Sequence, residues 1–165
     1  WAYSIGDTVS FVSTNPYRLK VTGRVKHFIS AFGEHVIAKE VEEALRQTVA
    51  NHPCMINEFT VAPMVSPGSG EKPYHEWWIE FGEPPSDKEA FAAALDRAMV
   101  GQNLYYRDLI EGKILQPLVV RYLPSGSFKR YMQSVGKLGG QNKVPRLSND
   151  RVIAEALEPL LGASR

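Results

Sequence analysis

Two groups of residues near the start of the chain have the makings of a ligand contact and a pivot. Asp7 closes the run Tyr3, Ser4, Ile5, Gly6, Asp7, which opens an expected strand and puts the carboxylate at the end of a glycine turn. An ionised carboxylate accepts from two vicinal hydroxyls at once, which suits a ribose. Capping the turn at the strand end is the other use for the same residue. Further along come Gly23, Arg24, Val25 and Lys26, then Gly33 and an acidic segment. Glycine permits backbone angles that other residues resist, and the two cations reach charged ligands, so the run suits a hinge as well as an ordinary turn. Together the two groups read as a nucleotide contact beside a pivot.

Other reactive side chains have plainer readings. Cys54 lies between Pro53 and Met55, Ile56, the setting of a small buried hydrophobe rather than of a nucleophile. The four histidines, His27, His35, His52 and His75, show no metal-ligand spacing, so no metal is assigned to protein ligands. Glu40, Glu42 and Glu43 could be offered as paired carboxylates, but on a charged helix face they read as solvated. Lys129 falls inside an expected helix and reads as a solvated face in the same way. Trp77 and Trp78 are neighbours on an expected strand and must point to opposite faces, so at most one can stack on a ligand. The glycine-rich stretch 136 to 140 is by itself a weak phosphate-loop signal.

Composition narrows the function classes. With 165 residues the chain can bury one core, with a short piece of another domain beside it. Its first residue, Trp1, is not Met, and the expectation is a segment of a longer protein that holds most of the site. Nineteen Lys and Arg against eighteen Asp and Glu give +1, without the basic excess that accompanies nucleic-acid or anionic-membrane binding. Neither partner is expected. A single cysteine excludes an internal disulfide and favours a reducing compartment, and no run has the length of a membrane span or the pattern of a signal segment. Cytoplasm is the expected location.

These residues need elements to hold them. Alternation over 8 to 12 and 18 to 21 around Asn15, Pro16 predicts a hairpin ending at Gly23. An amphipathic helix is predicted over roughly 35 to 50, from Ile37, Val41, Ala44, Leu45 and Val49. Strands are expected at 56 to 65 and 74 to 81, joined by the turn 66 to 70. A helix then starts at Ser86, capped by it and boxed by Glu89, and ends at Gly101. A short helix at 103 to 109, a strand at 116 to 123, a helix after Ser125, Gly126, Ser127 and a last helix at 149 to 161 complete the pattern. Strand hairpins separated by helices predict an α+β fold, a mixed and mainly antiparallel sheet with flanking helices. The expected boundary lies near residue 23. Residues 1 to 22 would be the tail of a preceding large domain, and 23 to 165 a small C-terminal one.

Taken in order, these motifs resemble a known family. Gly23, Arg24, Val25, Lys26 with Gly33, Val36, Glu40, Val41, Glu42 and Leu45 resemble the hinge motif of acyl-adenylate-forming ligases, and Tyr3 to Asp7 resembles their ribose-binding motif. Ser125, Gly126, Ser127, Phe128 followed by Gly139 to Arg146 resemble the helix start and the Gly-Gln-Tyr-Lys-Thr-Pro-Arg loop of the Gretchen Hagen auxin-responsive family, the acyl acid amido synthetases. Ser4, Asn142 and Val144 depart from the motifs, standing where the family has Arg, Tyr and Thr.

The resemblance implies an enzyme that uses ATP and Mg²⁺ to turn a carboxylic acid into an acyl-adenylate and then passes the acyl group to an amino acid. It implies that a large N-terminal domain holds most of the nucleotide and acid pockets, while the small domain swings between half-reactions. On this reading Lys143, matching the loop lysine, is the catalytic cation, and Asp7 binds the adenylate ribose. Gly23, Arg24 and Lys26 form the hinge. The fragment alone should not turn over. The alternatives are a CoA ligase domain with a thiol acceptor, or a freestanding regulatory α+β module that binds a small molecule. Neither the acid nor the amino acid can be read from this chain.

Overall fold

The computed structural model describes residues 7–24, 28–68, 70–139 and 142–162. Its centre is a three-stranded sheet of β5 (Met55–Met64), β6 (Tyr74–Glu83) and β7 (Val119–Leu123), in the order β5-β6-β7. β5 and β6 form the expected antiparallel hairpin, whereas β7 runs parallel to β6. The chain between β6 and β7 forms α2 (Lys88–Gln102) and α3 (Leu104–Glu111), a crossover of the kind a parallel pair requires. The result is the α+β fold with a mixed sheet that the alternation predicts.

The adjacent tryptophans divide the core in two. Trp77 is fully buried with Phe59, Val61, Ile79 and Phe81 against α1 (Ala38–Asn51) and α2. Trp78, on the opposite face, is fully buried with Ala62, Leu123 and Phe128, together with Ile153, Ala154 and Leu157 near the C-terminus. That second layer is built by α4 (Ser127–Ser134) and α5 (Val152–Leu157). Both indoles are therefore core, and neither is free to stack on a ligand.

Strand β6 also carries three polar side chains into this packed interior, His75, Glu76 and Glu80, and each has partners. Glu76 is 1 % exposed and accepts from Arg121 Nε (2.7 Å), Arg151 Nη2 (2.8 Å) and Trp78 Nε1 (3.1 Å). A buried carboxylate held by two guanidinium groups is stapling the start of α5 to the sheet rather than serving as an acid or base. His75 pairs through Nε2 with Glu34 Oε1 at 2.8 Å, both side chains being sealed from solvent. Burial pushes the Glu34 carboxyl up, but the hydrogen bond and charge of His75 and the backbone amides of Glu34 and Phe32 outweigh it, so it lies below its ordinary value of 4.5. A carboxyl depressed in the native state stabilises the fold fully above the unfolded value and loses that contribution as pH falls through the native one. Urea midpoints measured from pH 7 downward should therefore drop on acidification below about 4.5, and Glu34→Gln should flatten that acid limb.

Several boundaries differ from the sequence expectation, each for a local reason. The first helix begins at Ala38 rather than near residue 35. Gly33 and His35 have φ of 88° and 46°, and Val36–Ile37 pairs as β4 with Phe28–Ile29, β3. Asp87, not Ser86, caps α2, accepting from Ala90 N at 2.9 Å. That helix runs through Gly101 to Gln102, and the extended Asn103 that follows caps α3, its side chain accepting from Tyr106 N. β7 is shorter than expected because Pro117 has no N–H and the Gln116 and Leu118 amides are spent on Pro73 O and Asp96. The last helix starts late, after a turn in which Asp150 accepts from Val152 N, and tightens to a 3₁₀ turn (Glu158–Leu160) at Pro159. Glu40, read as solvated, is half-buried and caps α1 by accepting from Ile37 N, while also accepting from Asn103 Nδ2. Glu43 stays outside, bonded to Arg46.

Cys54 is partly buried, and desolvation raises its thiol pKa, as suits a small hydrophobe. No described helix is long and apolar enough to cross a membrane.

Candidate functional site

Lys143 lies on a loop whose C-terminal side is fastened to the sheet edge. Val144 is buried against Trp78 and Phe128 in the second core layer. Thr60 Oγ1 donates to Pro145 O (2.7 Å), Val61 N to Arg146 O (3.0 Å), and Ser148 N to Val61 O (2.9 Å). Leu147 thereby bridges to Val61 in parallel, like a short extra strand beyond β5. The Arg146 guanidinium sits 4.4 Å over the Phe59 ring and pairs with Glu58. Asn149 closes the segment, donating to Phe28 O and accepting from Ser30 N. Such a mounting fixes the backbone on the C-terminal side of Lys143.

The N-terminal side of the loop is set by α4. Gly126 has φ of 81°, a left-handed geometry that glycine adopts without strain, and it turns the chain into the helix. The helix start is capped from another element. Glu80 accepts from Gly126 N through Oε1 (2.8 Å) and from Phe128 N through Oε2 (3.0 Å). An anion at a helix N-terminus satisfies orphan amides and complements the dipole. Glu80→Ala should cost about 1–2 kcal/mol of stability, because two amides lose their acceptor, and urea unfolding of the chain checks it. The helix closes at Gly136, φ 66°, with Lys137 N bonded to Met132 O (2.9 Å), and leads into the lysine loop.

Between α4, the loop and the ends of β5 and β6 lies a cleft of about 440 Å³. Lys143 lines it, and so do Lys129, Lys137, Asn142, Glu58 and Glu80. Lys129 is exposed, as a solvated helix residue should be, yet it faces the same space as Lys143. Sequence reasoning missed that convergence, and no local signal carried it, since the three lysines come from separate turns of chain.

The remaining candidates lie elsewhere. Asp7 and Arg24 are paired residues at the open end of the hairpin formed by β1 (Asp7–Thr14) and β2 (Tyr17–Arg24), with Gly23 opposite Thr8. The hairpin thus brings the expected ribose contact and two expected hinge residues together. Lys26 lies outside the described residues, and none of the residues lining the cleft comes from the hairpin. One hairpin face carries Val9, Phe11, Leu19 and Val21, all at least half exposed. Among the described residues no group of three or more His, Cys, Asp and Glu side chains could hold a metal ion.

The family model for the GH3 family C-terminal domain matches residues 38–152, from the start of α1 to the first residue of α5. The chain belongs to the GH3 family. Within this GH3 domain the matched span includes the whole cleft and Lys143, and leaves out the β1–β2 hairpin. Its fold is similar to a solved structure of GH3.15 acyl acid amido synthetase, with a TM-score of 0.74 at 18% identity over 94% of this chain. A structure of AtGH3.15 acyl acid amido synthetase in complex with 2,4-DB gives the same TM-score at 17% identity and the same coverage. In both cases the GH3 domain described here spans 30% of the larger protein. No curated protein matches the sequence.

Proposed function

We propose that this chain is the mobile C-terminal domain of an ATP-dependent acyl acid amido synthetase, with residues 1 to 22 belonging to the larger domain before it and the boundary near residue 23. The observation that carries the reading is Lys143, held on a fastened loop at the mouth of a cleft inside the family-matched span. The apolar hairpin face supports the boundary, because a row such as Val9, Phe11, Leu19 and Val21 calls for cover that another part of a longer chain would supply.

The chemistry follows from charge. A carboxylate oxygen of the acid attacks the α-phosphorus of ATP, the bond to the bridging oxygen breaks, and pyrophosphate leaves with the electron pair. Negative charge grows on the α-phosphate and the leaving group, so a cation positioned there lowers the barrier more than it tightens ground-state binding. Lys143 supplies that cation when the domain is turned toward the nucleotide. Asp7 accepts from the ribose hydroxyls, and Gly23, Arg24 and Lys26 form the pivot. In the second half-reaction the neutral amine of an amino acid attacks the acyl carbon, and the bond from that carbon to the adenylate oxygen breaks. AMP leaves with the electron pair, and the nitrogen loses a proton to solvent as the amide forms. ATP and Mg²⁺ would be held mainly by the N-terminal domain, as the family resemblance implies. The cleft, lined by three lysines and two glutamates, offers ammonium donors that suit phosphate oxygens. By itself the chain lacks the acid pocket and should be inactive.

Incubating the intact protein with ATP, Mg²⁺, a panel of carboxylic acids and either amino acids or CoA tests the reading by mass spectrometry. An N-acyl amino acid is the expected product. A thioester formed in preference to any amide would replace the amido synthetase reading with a CoA ligase.

A further inference from the structure

We infer that Lys129 and Lys137 join Lys143 in a subsite for the pyrophosphate unit, either as the outer phosphates of ATP or as the free diphosphate leaving group. The inference rests on the function proposed above and adds two residues that the family motifs do not include.

Three lysines, all exposed, line one cleft of about 440 Å³, room enough for a diphosphate. The chain as a whole carries only +1, so this is a local concentration of charge and not a share of a general basic field. The two carboxylates lining the cleft offset it only in part. Glu58 is paired with Arg146 and accepts from Phe59 N. Glu80, which accepts from the amides of Gly126 and Phe128, keeps its negative charge, leaving three lysines against one carboxylate. None of Lys129, Lys137 and Lys143 forms an ion pair with a described carboxylate. A lone exposed lysine contributes little, but several converging on one concavity sum their fields on a multiply charged ligand. Each ammonium has three donors and no acceptor, which suits an oxygen-rich polyanion. Because Glu80 already fills the N-terminal end of α4, the lysines rather than the helix amides must supply the contacts.

Titration of the 165-residue chain with inorganic pyrophosphate by calorimetry, with orthophosphate and AMP as parallel arms, tests this directly. Pyrophosphate should bind more tightly than either monophosphate, and Lys129→Gln combined with Lys137→Gln should weaken it by roughly tenfold. Replacing both residues by Arg should keep most of the affinity. Pyrophosphate affinity unchanged in the Gln variant, or no preference over orthophosphate, would overturn the subsite. Circular dichroism of each variant confirms the fold, and the Arg pair reads charge separately from side-chain loss. In the intact protein the same Gln pair should raise the KM for pyrophosphate in ATP–pyrophosphate exchange by a similar factor. Exchange proceeding with that KM untouched would sink the subsite alone. Absence of exchange with any acid, alongside undiminished pyrophosphate binding by the chain, would sink the ligase reading and leave the subsite standing.

Discussion

Lys143→Ala in the intact protein should slow acyl-adenylate formation by roughly two to four powers of ten, the scale of losing one preorganised charge contact to a transition state. Transfer from a preformed adenylate to the amino acid should change far less, because that step no longer builds charge on a departing pyrophosphate. The stability of the domain should stay within about 0.5 kcal/mol, since the side chain is exposed while the loop is fixed through Val144, Pro145 and Leu147. Single-turnover measurements of each half-reaction separate the two effects. Equal losses in both half-reactions would remove Lys143 from the role of adenylation cation and make it a general nucleotide contact.

The second large effect is on stability. Trp78→Ala should cost about 3–5 kcal/mol, as deleting a buried aromatic from a packed core does. Trp77→Ala should cost a similar amount, but the two losses fall in different places. Trp78 packs with Phe128, Val144, Ile153 and Leu157, so its removal loosens α4, α5 and the anchor of the lysine loop. Trp77 packs with α1 and α2. Hydrogen exchange should therefore speed up across residues 127–134 and 142–157 in the first variant, and across 38–51 and 88–102 in the second. Uniform acceleration in both would mean that the two faces of the sheet form one cooperative unit and that the loop has no separate support.

Much of the fold was legible because its period is local. Val41, Ala44 and Leu45 repeat at helical spacing and all are buried, and the β5–β6 hairpin follows from alternation on either side of a Ser, Pro and Gly turn. The misplaced start of α1 came from Ile37 and Ala38, which fit the helical pattern although the backbone before them bends through positive φ at Gly33 and His35. Ser86 and Asp87 are adjacent capping types, and only the hydrogen bond to Ala90 distinguishes them. Glu76 and Glu80 alternate with apolar residues as a solvent face would. They are buried because α4 and α5 cover that side and bring matching donors, a long-range fact no window can hold.

The candidate site divides the same way. A motif spelled out in consecutive residues located Lys143, while its fastening to β5 and its company of Lys129 and Lys137 depended on tertiary placement. Asp7 and Arg24 are register partners, with Gly23 opposite Thr8, because a hairpin pairs residues that are near in sequence.

Exchange of labelled pyrophosphate into ATP by the intact protein, run with Mg²⁺ against a panel of carboxylic acids, bears most directly on the whole reading. At least one acid should drive exchange, and Lys143→Ala should suppress it by a factor of about 100 or more. No exchange with any acid, or exchange that Lys143→Ala leaves intact, would contradict the proposal that this domain carries a cation to the adenylation step.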